Sequence, residues 1–276
     1  MPEGDTIHKL AAALGPRLVG KLLERVTTQG LARDIAGRKV ESVTAHGKHL
    51  VITLDDGAYL RTHLGMNGRV RLHDRANGEA ALARMSPGRV SLALTTEDGI
   101  YIWLTTPTVE ISHRRAPMRG QAIAALGSDV LADDFDSRQA ASRAMVHSSR
   151  TIADVVLDQR IAAGIGNVYK SEALFLRGVD PRTLVRQLTL DELDAIFTTA
   201  RELMLDNLGG WPRATRDPLA GDRPGDDRYF VYGRTNKPCR RCGSSIECYQ
   251  LGSPVVRWTW SCPQCQAVRT PPAIGR

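Results

Sequence analysis

The chain has no run of eighteen or more apolar residues, which excludes a membrane-spanning helix. Its opening residues, MPEGDTIHKL, lack the basic and apolar stretches of a secretory signal, so a soluble protein of the cytoplasm is expected. Lysine is scarce: it supplies six of the 37 basic residues, and arginine the other 31. That bias suits a GC-rich genome and equally provides planar forks for phosphate groups, and composition does not separate the two causes. Internal repeats and low-complexity tracts are absent as well, so no repeat array is expected.

What is present is a globular composition. With 42% hydrophobic residues, a chain of 276 residues suffices for two cores. The formal net charge of +7 favours a polyanionic partner, although many basic proteins bind no nucleic acid.

From Asp5 to Leu14 the apolar residues Ile7, Leu10, Ala11 and Leu14 recur at helical spacing, with Asp5 as the expected cap and Gly15-Pro16 as the expected stop. Short β-rich runs follow (VESVTAHG, HLVITL, AYLRTHLGM, GRVRLH, RVSLALT and IYIWLTT), punctuated by Asp56-Gly57 and Asp98-Gly99. Short strands joined by tight turns predict an antiparallel sandwich. Beyond about residue 120 the period changes, and DSRQAASRAMVH, TIADVVLDQ, VYKSEALFLRG and LTLDELDAIFTTARELMLDNLGG read as helices. The last opens on a Thr189/Glu192 capping box and stops at Gly209-Gly210. Residues 211–230 have no periodicity and read as a loop, which at that length is usually functional or mobile. The expected fold is therefore α+β and multidomain. A β-sandwich with a flanking helix occupies residues 1–120, a helical domain with the long loop 121–230, and a cysteine module 231–270.

Cys239-x-x-Cys242 and Cys262-x-x-Cys265, with nineteen residues between the inner pair, fit a two-hairpin site in which four thiolates hold one tetrahedral zinc ion. Two disulfides or two redox motifs are the alternatives. A cytosolic chain disfavours the first, and the lack of a thioredoxin-like βαβ pattern around either pair disfavours the second. Four thiolates close the coordination shell, so the zinc would be structural. Cys248 reads as a small packing residue. Arg234, Lys237, Arg240, Arg241, Arg257 and Arg269 crowd this module. Arg257, beside Trp258 and Trp260 on the expected hairpin, is the candidate phosphate ligand; a solvated basic face is the alternative.

Proline follows the initiator methionine, and removal of Met1 would expose a secondary amine at Pro2. An α-amino group titrates near pH ~8, so part of it is uncharged and nucleophilic at neutral pH. With Glu3 beside it to shuttle protons, the pair suits imine chemistry at a sugar carbon.

MPEGD at the start, Gly47-Lys48 before a strand, His63-Leu64-Gly65-Met66 after one, GIGNVYKSEALF at 164–175, VYGR at 231–234 and the cysteine module occur together in this order. On these motifs the whole chain resembles the formamidopyrimidine-DNA glycosylase and endonuclease VIII family. The resemblance implies a bifunctional DNA glycosylase/AP lyase of base excision repair. Pro2 would attack C1′ of the damaged nucleotide, and Glu3 would protonate the sugar ring oxygen. Lys48 and Arg257 would assist the two strand cleavages by β- and then δ-elimination. Leu157 to Lys170 resembles a helix-two-turn-helix, in which Gly164 and Gly166 bring the backbone close to a phosphate and Asn167 hydrogen-bonds it. His63 and Lys170 are counted with the DNA contacts, and Met66 resembles the apolar wedge that fills the stack when a nucleotide is extruded. The implied partner is double-stranded DNA carrying oxidised bases or abasic sites. The implied cofactor is one structural zinc ion, and the implied state a monomer acting on the bacterial nucleoid.

The chain departs from the family pattern in places. Thr6 stands where many members carry glutamate, Thr105 to Glu110 lack the Arg and Phe wedge partners of the purine-directed branch, and Gly65 replaces a Gln of some endonuclease VIII proteins. The missing partners and the start Met-Pro-Glu-Gly-Asp-Thr point to the endonuclease VIII branch of high-GC Gram-positive bacteria, and hence mainly to oxidised pyrimidines. The alternatives are a purine-directed enzyme whose loop 211–230 folds over 8-oxoguanine, and a non-catalytic damaged-DNA-binding relative. A plain zinc-ribbon transcription factor leaves the sandwich and the helical domain unexplained.

Overall fold

The computed structural model of the chain describes residues 1–28, 35–113, 123–210, 212–218 and 228–267. It divides into two compact units, Met1–Ala125 and Leu126–Arg276.

The first unit begins with helix α1, Gly4–Leu18, which buries Ile7, Leu14 and Leu18. Its bounds correct two expectations. The cap is Glu3 rather than Asp5, which falls in the first turn with its carboxylate 3.5 Å from the Lys9 ammonium. Nor does Gly15-Pro16 end the helix. A proline in the last turn forfeits a single backbone hydrogen bond and has a helix-compatible φ; the helix continues because it buries Leu18 completely, and the Val19 N–H closes it on the Gly15 carbonyl at 3.0 Å.

Eight strands follow: β1 Arg25–Thr28, β2 Val40–His46, β3 His49–Leu54, β4 Ala58–His63, β5 Arg69–Asp74, β6 Val90–Thr95, β7 Gly99–Leu104 and β8 Thr108–His113. They form two antiparallel four-stranded sheets, ordered β1-β6-β7-β5 and β2-β3-β4-β8. Alternation along β3 turns Leu50, Ile52 and Leu54 inward, where they share a core with Ile7 and Leu14 of α1 and with Tyr101 and Trp103 of β7. β7 does not alternate, because its second face is covered too. A helix the sequence reading missed, α2 (Arg75–Ala83), packs Ala81 and Leu82 onto Ile100 and Ile102. Asp74 caps α2 by accepting the Asn77 N–H at 2.8 Å. β1 and β8 were not read from the sequence either, each being too short or too polar to show a period.

In the second unit the elements are β9 Ser128–Asp129, α3 Ser137–Met145, α4 Ile152–Leu157, β10 Ala162–Ala163, α5 Asn167–Leu176, α6 Leu190–Asp206, β11 Glu247–Leu251 and β12 Arg257–Ser261. The four expected helices are all present. α6 opens on its capping box: Thr189 Oγ1 accepts the Glu192 N–H at 3.2 Å, and Glu192 Oε2 the Thr189 N–H at 2.8 Å. It ends at Asp206, short of the glycine pair, because the Asn207 side chain turns to bond both the N–H and the carbonyl of Ala214. Tyr169, Phe197 and Met204 are fully buried in this unit's main core. A smaller core of Phe175, Val231, Cys239, Ile246 and Cys262 roots the cysteine module on α5. Of the loop 211–230, residues 212–218 and 228–230 carry no helix or strand, while Trp211 and 219–227, like Arg269, lie outside the described residues. Among the described residues no helix is long and apolar enough to cross a membrane.

Candidate nucleic-acid interface and metal centre

In the first unit the amino terminus leads straight into α1. Pro2 is half-buried and stands one residue outside the helix. Glu3 is buried at the N-cap, where its carbonyl accepts the N–H groups of Thr6 at 3.0 Å and Ile7 at 3.3 Å. Its own N–H donates to the Thr6 hydroxyl at 3.3 Å. Thr6 thus holds the backbone of Glu3 in place of adding a second carboxylate.

Lys48 is half-buried in the two-residue turn between β2 and β3, after Gly47 at φ 56°. On the adjoining strand ends, His49 pairs with His63 across β3 and β4, their rings 4.9 Å apart. Arg61 Nη1 donates to His49 Nδ1 at 2.9 Å while its other nitrogens grip Glu110, directly opposite on β8, at 2.6 and 3.2 Å. Because a guanidinium only donates, His49 must be the neutral tautomer with its proton on Nε2. The Gly65 N–H likewise donates to His63 Nδ1 at 3.2 Å, which leaves Nε2–H as that ring's donor. Burial, His63, Arg61, His46 and Lys48, in that order, push the His49 pKa down to about 3. Burial first, then Lys48 and Arg61, lower that of His63. Sequence reasoning missed His49, Arg61 and Glu110, since only strand register brings them together. Met66, 64% exposed, tops the turn between β4 and β5. That turn is stiff: Gly65 has φ 61°, and a Cβ there would lie 2.7 Å from Pro107.

In the second unit α4 and α5 flank the stretch 158–166. Gln159 braces it, accepting the Gly164 N–H at 3.0 Å and donating to the Ile165 carbonyl at 3.0 Å. Gly164 has φ 113°, outside the range other residues tolerate, and Gly166 is the extended N-cap of α5. Asn167 is therefore the first residue of a helix, where backbone N–H groups point outward. Its amide Nδ2 donates to the Trp258 carbonyl at 2.8 Å, and its Oδ1 accepts from Lys170 Nζ at 2.7 Å. Lys170 also donates to Thr259 Oγ1 at 2.9 Å. Its expected contact with DNA needs correction: the side chain is completely buried, and its ammonium ties α5 to β12. Arg257, by contrast, is exposed at the start of β12.

One buried carboxylate lies inside the GIGNVYKSEALF motif but received no role from the sequence. Glu172 on α5 accepts the N–H groups of Phe230, Val231 and Tyr232 at 2.7, 2.9 and 2.8 Å, and the Thr215 hydroxyl besides. Burial raises its pKa against these bonds. Three of its four partners are backbone N–H groups, which can only donate, so both oxygens are used as acceptors. Its partners lie 43 to 60 residues away, too far for any local pattern to report.

The four expected cysteines converge, their sulfur atoms all within 4.8 Å of one another. Cys239 and Cys265 are 3.8 Å apart, and Cys242 and Cys262 3.4 Å. Sulfurs bound at about 2.3 Å to a tetrahedral ion stand roughly 3.8 Å apart, so the donor set fits such an ion. Each knuckle turns a backbone N–H onto a sulfur, Arg241 onto Cys239 and Cys265 onto Cys262, both at 3.4 Å. Cys248 is half-buried on β11, opposite Trp260.

Residues 1–107 match the model of the formamidopyrimidine-DNA glycosylase N-terminal domain, and residues 126–210 that of the H2TH domain of the same glycosylase. The chain is 35% identical to a probable endonuclease 8 2 of Streptomyces coelicolor, over 100% of this chain and 98% of the relative. It is also 35% identical to the DNA-(apurinic or apyrimidinic site) lyase Nei2 of Mycolicibacterium smegmatis, over 96% and 99%. Among solved structures, the MutM (Fpg) protein of Thermus thermophilus superimposes with TM-score 0.76 at 26% identity, over 98% of this chain and all of that one. The Lactococcus lactis formamidopyrimidine-DNA glycosylase bound to DNA containing an AP site shares the fold, with TM-score 0.77 at 22% identity over 96% and 100%.

Proposed function

Because the chain belongs to the formamidopyrimidine-DNA glycosylase and endonuclease VIII family, we propose that it is a bifunctional DNA glycosylase/AP lyase of base excision repair that acts mainly on oxidised pyrimidines. The observation that carries this reading is the placement of Pro2 and Glu3 at the positive end of a fifteen-residue helix. Once Met1 is removed, a positively charged amine there is disfavoured by the helix dipole, which favours the nucleophilic free base. The Pro2 nitrogen attacks C1′, the bond from C1′ to the damaged base breaks, and the base leaves with a proton; Glu3 then protonates the sugar ring oxygen, the C1′–O4′ bond breaks, and the ring opens to the iminium. The resulting iminium then acidifies the sugar hydrogens, so the 3′ and afterwards the 5′ phosphate are eliminated. Glu3, anchored by its backbone at the N-cap, is the proton shuttle.

Lys48 and Arg257, each on a tight turn or hairpin, supply the cations for the departing phosphates. Asn167 and the first-turn N–H groups of α5 take a neighbouring phosphate. His63 presents a neutral Nε2–H donor, and Met66 is the wedge. The four thiolates hold a structural zinc ion; when bound, it supplies rigidity to the β11–β12 hairpin and no chemistry, since its shell is closed. The protein works as a monomer in the cytoplasm.

Borohydride trapping tests the reading. Methionine-processed protein should be linked covalently to DNA carrying an abasic site, and protein that keeps Met1 should not. Processed protein that yields no adduct removes the catalytic reading and leaves a DNA-binding relative.

A further inference from the structure

The hairpin that carries Arg257 also carries an aromatic surface for which the reaction has no use. Along β12 successive side chains alternate, so Arg257, Thr259 and Ser261 share one face and Trp258 and Trp260 the other. Thr259 and Ser261 are each 1% exposed, and Thr259 meets Lys170 of α5. On the second face Trp260 is half-covered, its ring 4.6 Å from that of Tyr232 and its Nε1–H bonded to Thr235 at 3.0 Å. Tyr232 in turn meets Tyr229 edge-on at 5.6 Å. The row ends in Trp258, which is 55% exposed, with Val255 and Val256 exposed beside it towards the hairpin tip.

An indole left in water on a short strand forgoes a large burial gain, yet this one is presented rigidly, its own carbonyl held by Asn167 at 2.8 Å. The residue before it is an exposed arginine, and the chain as a whole carries a net charge of +7. A cation and a flat apolar face, set by consecutive residues on the two sides of one exposed strand end, match a phosphate with an exposed base next to it. An intact duplex shows phosphates but hides its bases in the stack; only a nucleotide lifted out of the stack shows both.

Resting on the DNA-repair reading above, we propose that Trp258 is a specificity-determining residue that stacks on an unstacked nucleotide beside the lesion, next to the phosphate held by Arg257. It adds affinity for opened, damaged DNA over intact duplex without adding charge.

The test compares full-length, zinc-loaded wild type with Trp258→Ala, Trp258→Phe and Arg257→Ala, using a duplex with a tetrahydrofuran abasic analogue and the same duplex undamaged. Trp258→Ala should weaken binding of the damaged duplex roughly tenfold, leave the undamaged duplex within about twofold, and keep the salt dependence of wild type. Trp258→Phe should retain most of the preference. Arg257→Ala should weaken both duplexes and flatten the salt dependence. Wild-type indole emission should be quenched by the damaged duplex more than that of Trp258→Phe. A Trp258→Ala protein that binds the damaged duplex like wild type, or that loses both duplexes equally, overturns the stacking role while the enzymatic reading stands. A wild type that binds neither duplex overturns both.

Discussion

The side-chain amide of Asn167 donates to the backbone carbonyl of Trp258 across 2.8 Å, joining residues 91 positions apart. The same side chain accepts from buried Lys170, which also reaches Thr259, so the first turn of α5 and strand β12 are tied by one polar network. A residue implied in phosphate contact is therefore oriented from inside the protein. Its oxygen is occupied by an ammonium, which turns its NH2 group towards the hairpin and leaves no freedom for the amide to flip.

Lys170→Met should leave Asn167 Oδ1 and Thr259 Oγ1 without this donor, at about 1–3 kcal/mol of stability for each group left unsatisfied. Asn167→Ala should cost a similar amount, and the double variant less than the sum. Urea unfolding of the four proteins measures the coupling. Strictly additive losses would show that the network is not a unit.

Glu172→Gln replaces one acceptor oxygen by an amide that repels the donors now facing it. A loss of roughly 3 kcal/mol is expected, because each buried donor left without its acceptor costs about 1–3 kcal/mol. Amide exchange at Phe230, Val231 and Tyr232 should accelerate far more than exchange on α6. Uniform acceleration, or none, contradicts the view that Glu172 anchors that segment.

Removing the metal should disable the hairpin. Cys262→Ser, or chelation of the wild type, should lower DNA binding and strand cleavage together, because Arg257 loses its rigid mount while Pro2 is chemically intact. Metal content and binding to an abasic-site duplex, followed along one chelator titration, check this. Cleavage that persists after the metal has gone would assign the cysteines a different role.

Acid should destabilise the first unit before the carboxylates titrate. His49 is neutral in the fold down to a pH of about 3, whereas in the unfolded chain it takes up a proton near its ordinary value of 6.5. Between those values the unfolded state binds more protons, so stability is complete above pH ~6.5 and falls as the pH drops towards 3. The denaturation midpoint should be lower at pH 5 than at pH 7.5. In His49→Asn, which keeps an acceptor for Arg61, the drop should shrink without vanishing, since His63 titrates in the same direction. An unchanged pH slope in that variant would place the effect elsewhere.

What the sequence determined by itself was local. Short β-rich runs between tight turns located β2 to β7, the 3.6-residue period located α1 and α3 to α6, and the Thr189/Glu192 box marked the start of α6. The two Cys-x-x-Cys turns announced a four-sulfur site, because each ligand pair is made within four residues. Pro2, Glu3 and Asn167 were legible as motif residues. What only the tertiary structure decided was every relationship carried by strand register or by packing between distant segments. The Arg61 fork between His49 and Glu110 depends on which residues face one another across β3, β4 and β8. α2 was hidden because its apolar face is short and gains its burial from β7. Lys170 read as a surface cation because a basic side chain is normally solvated. Its bonds to Asn167, one turn earlier on α5, and to Thr259, brought to it by β12, make its complete burial tolerable, and with it the orientation of Asn167.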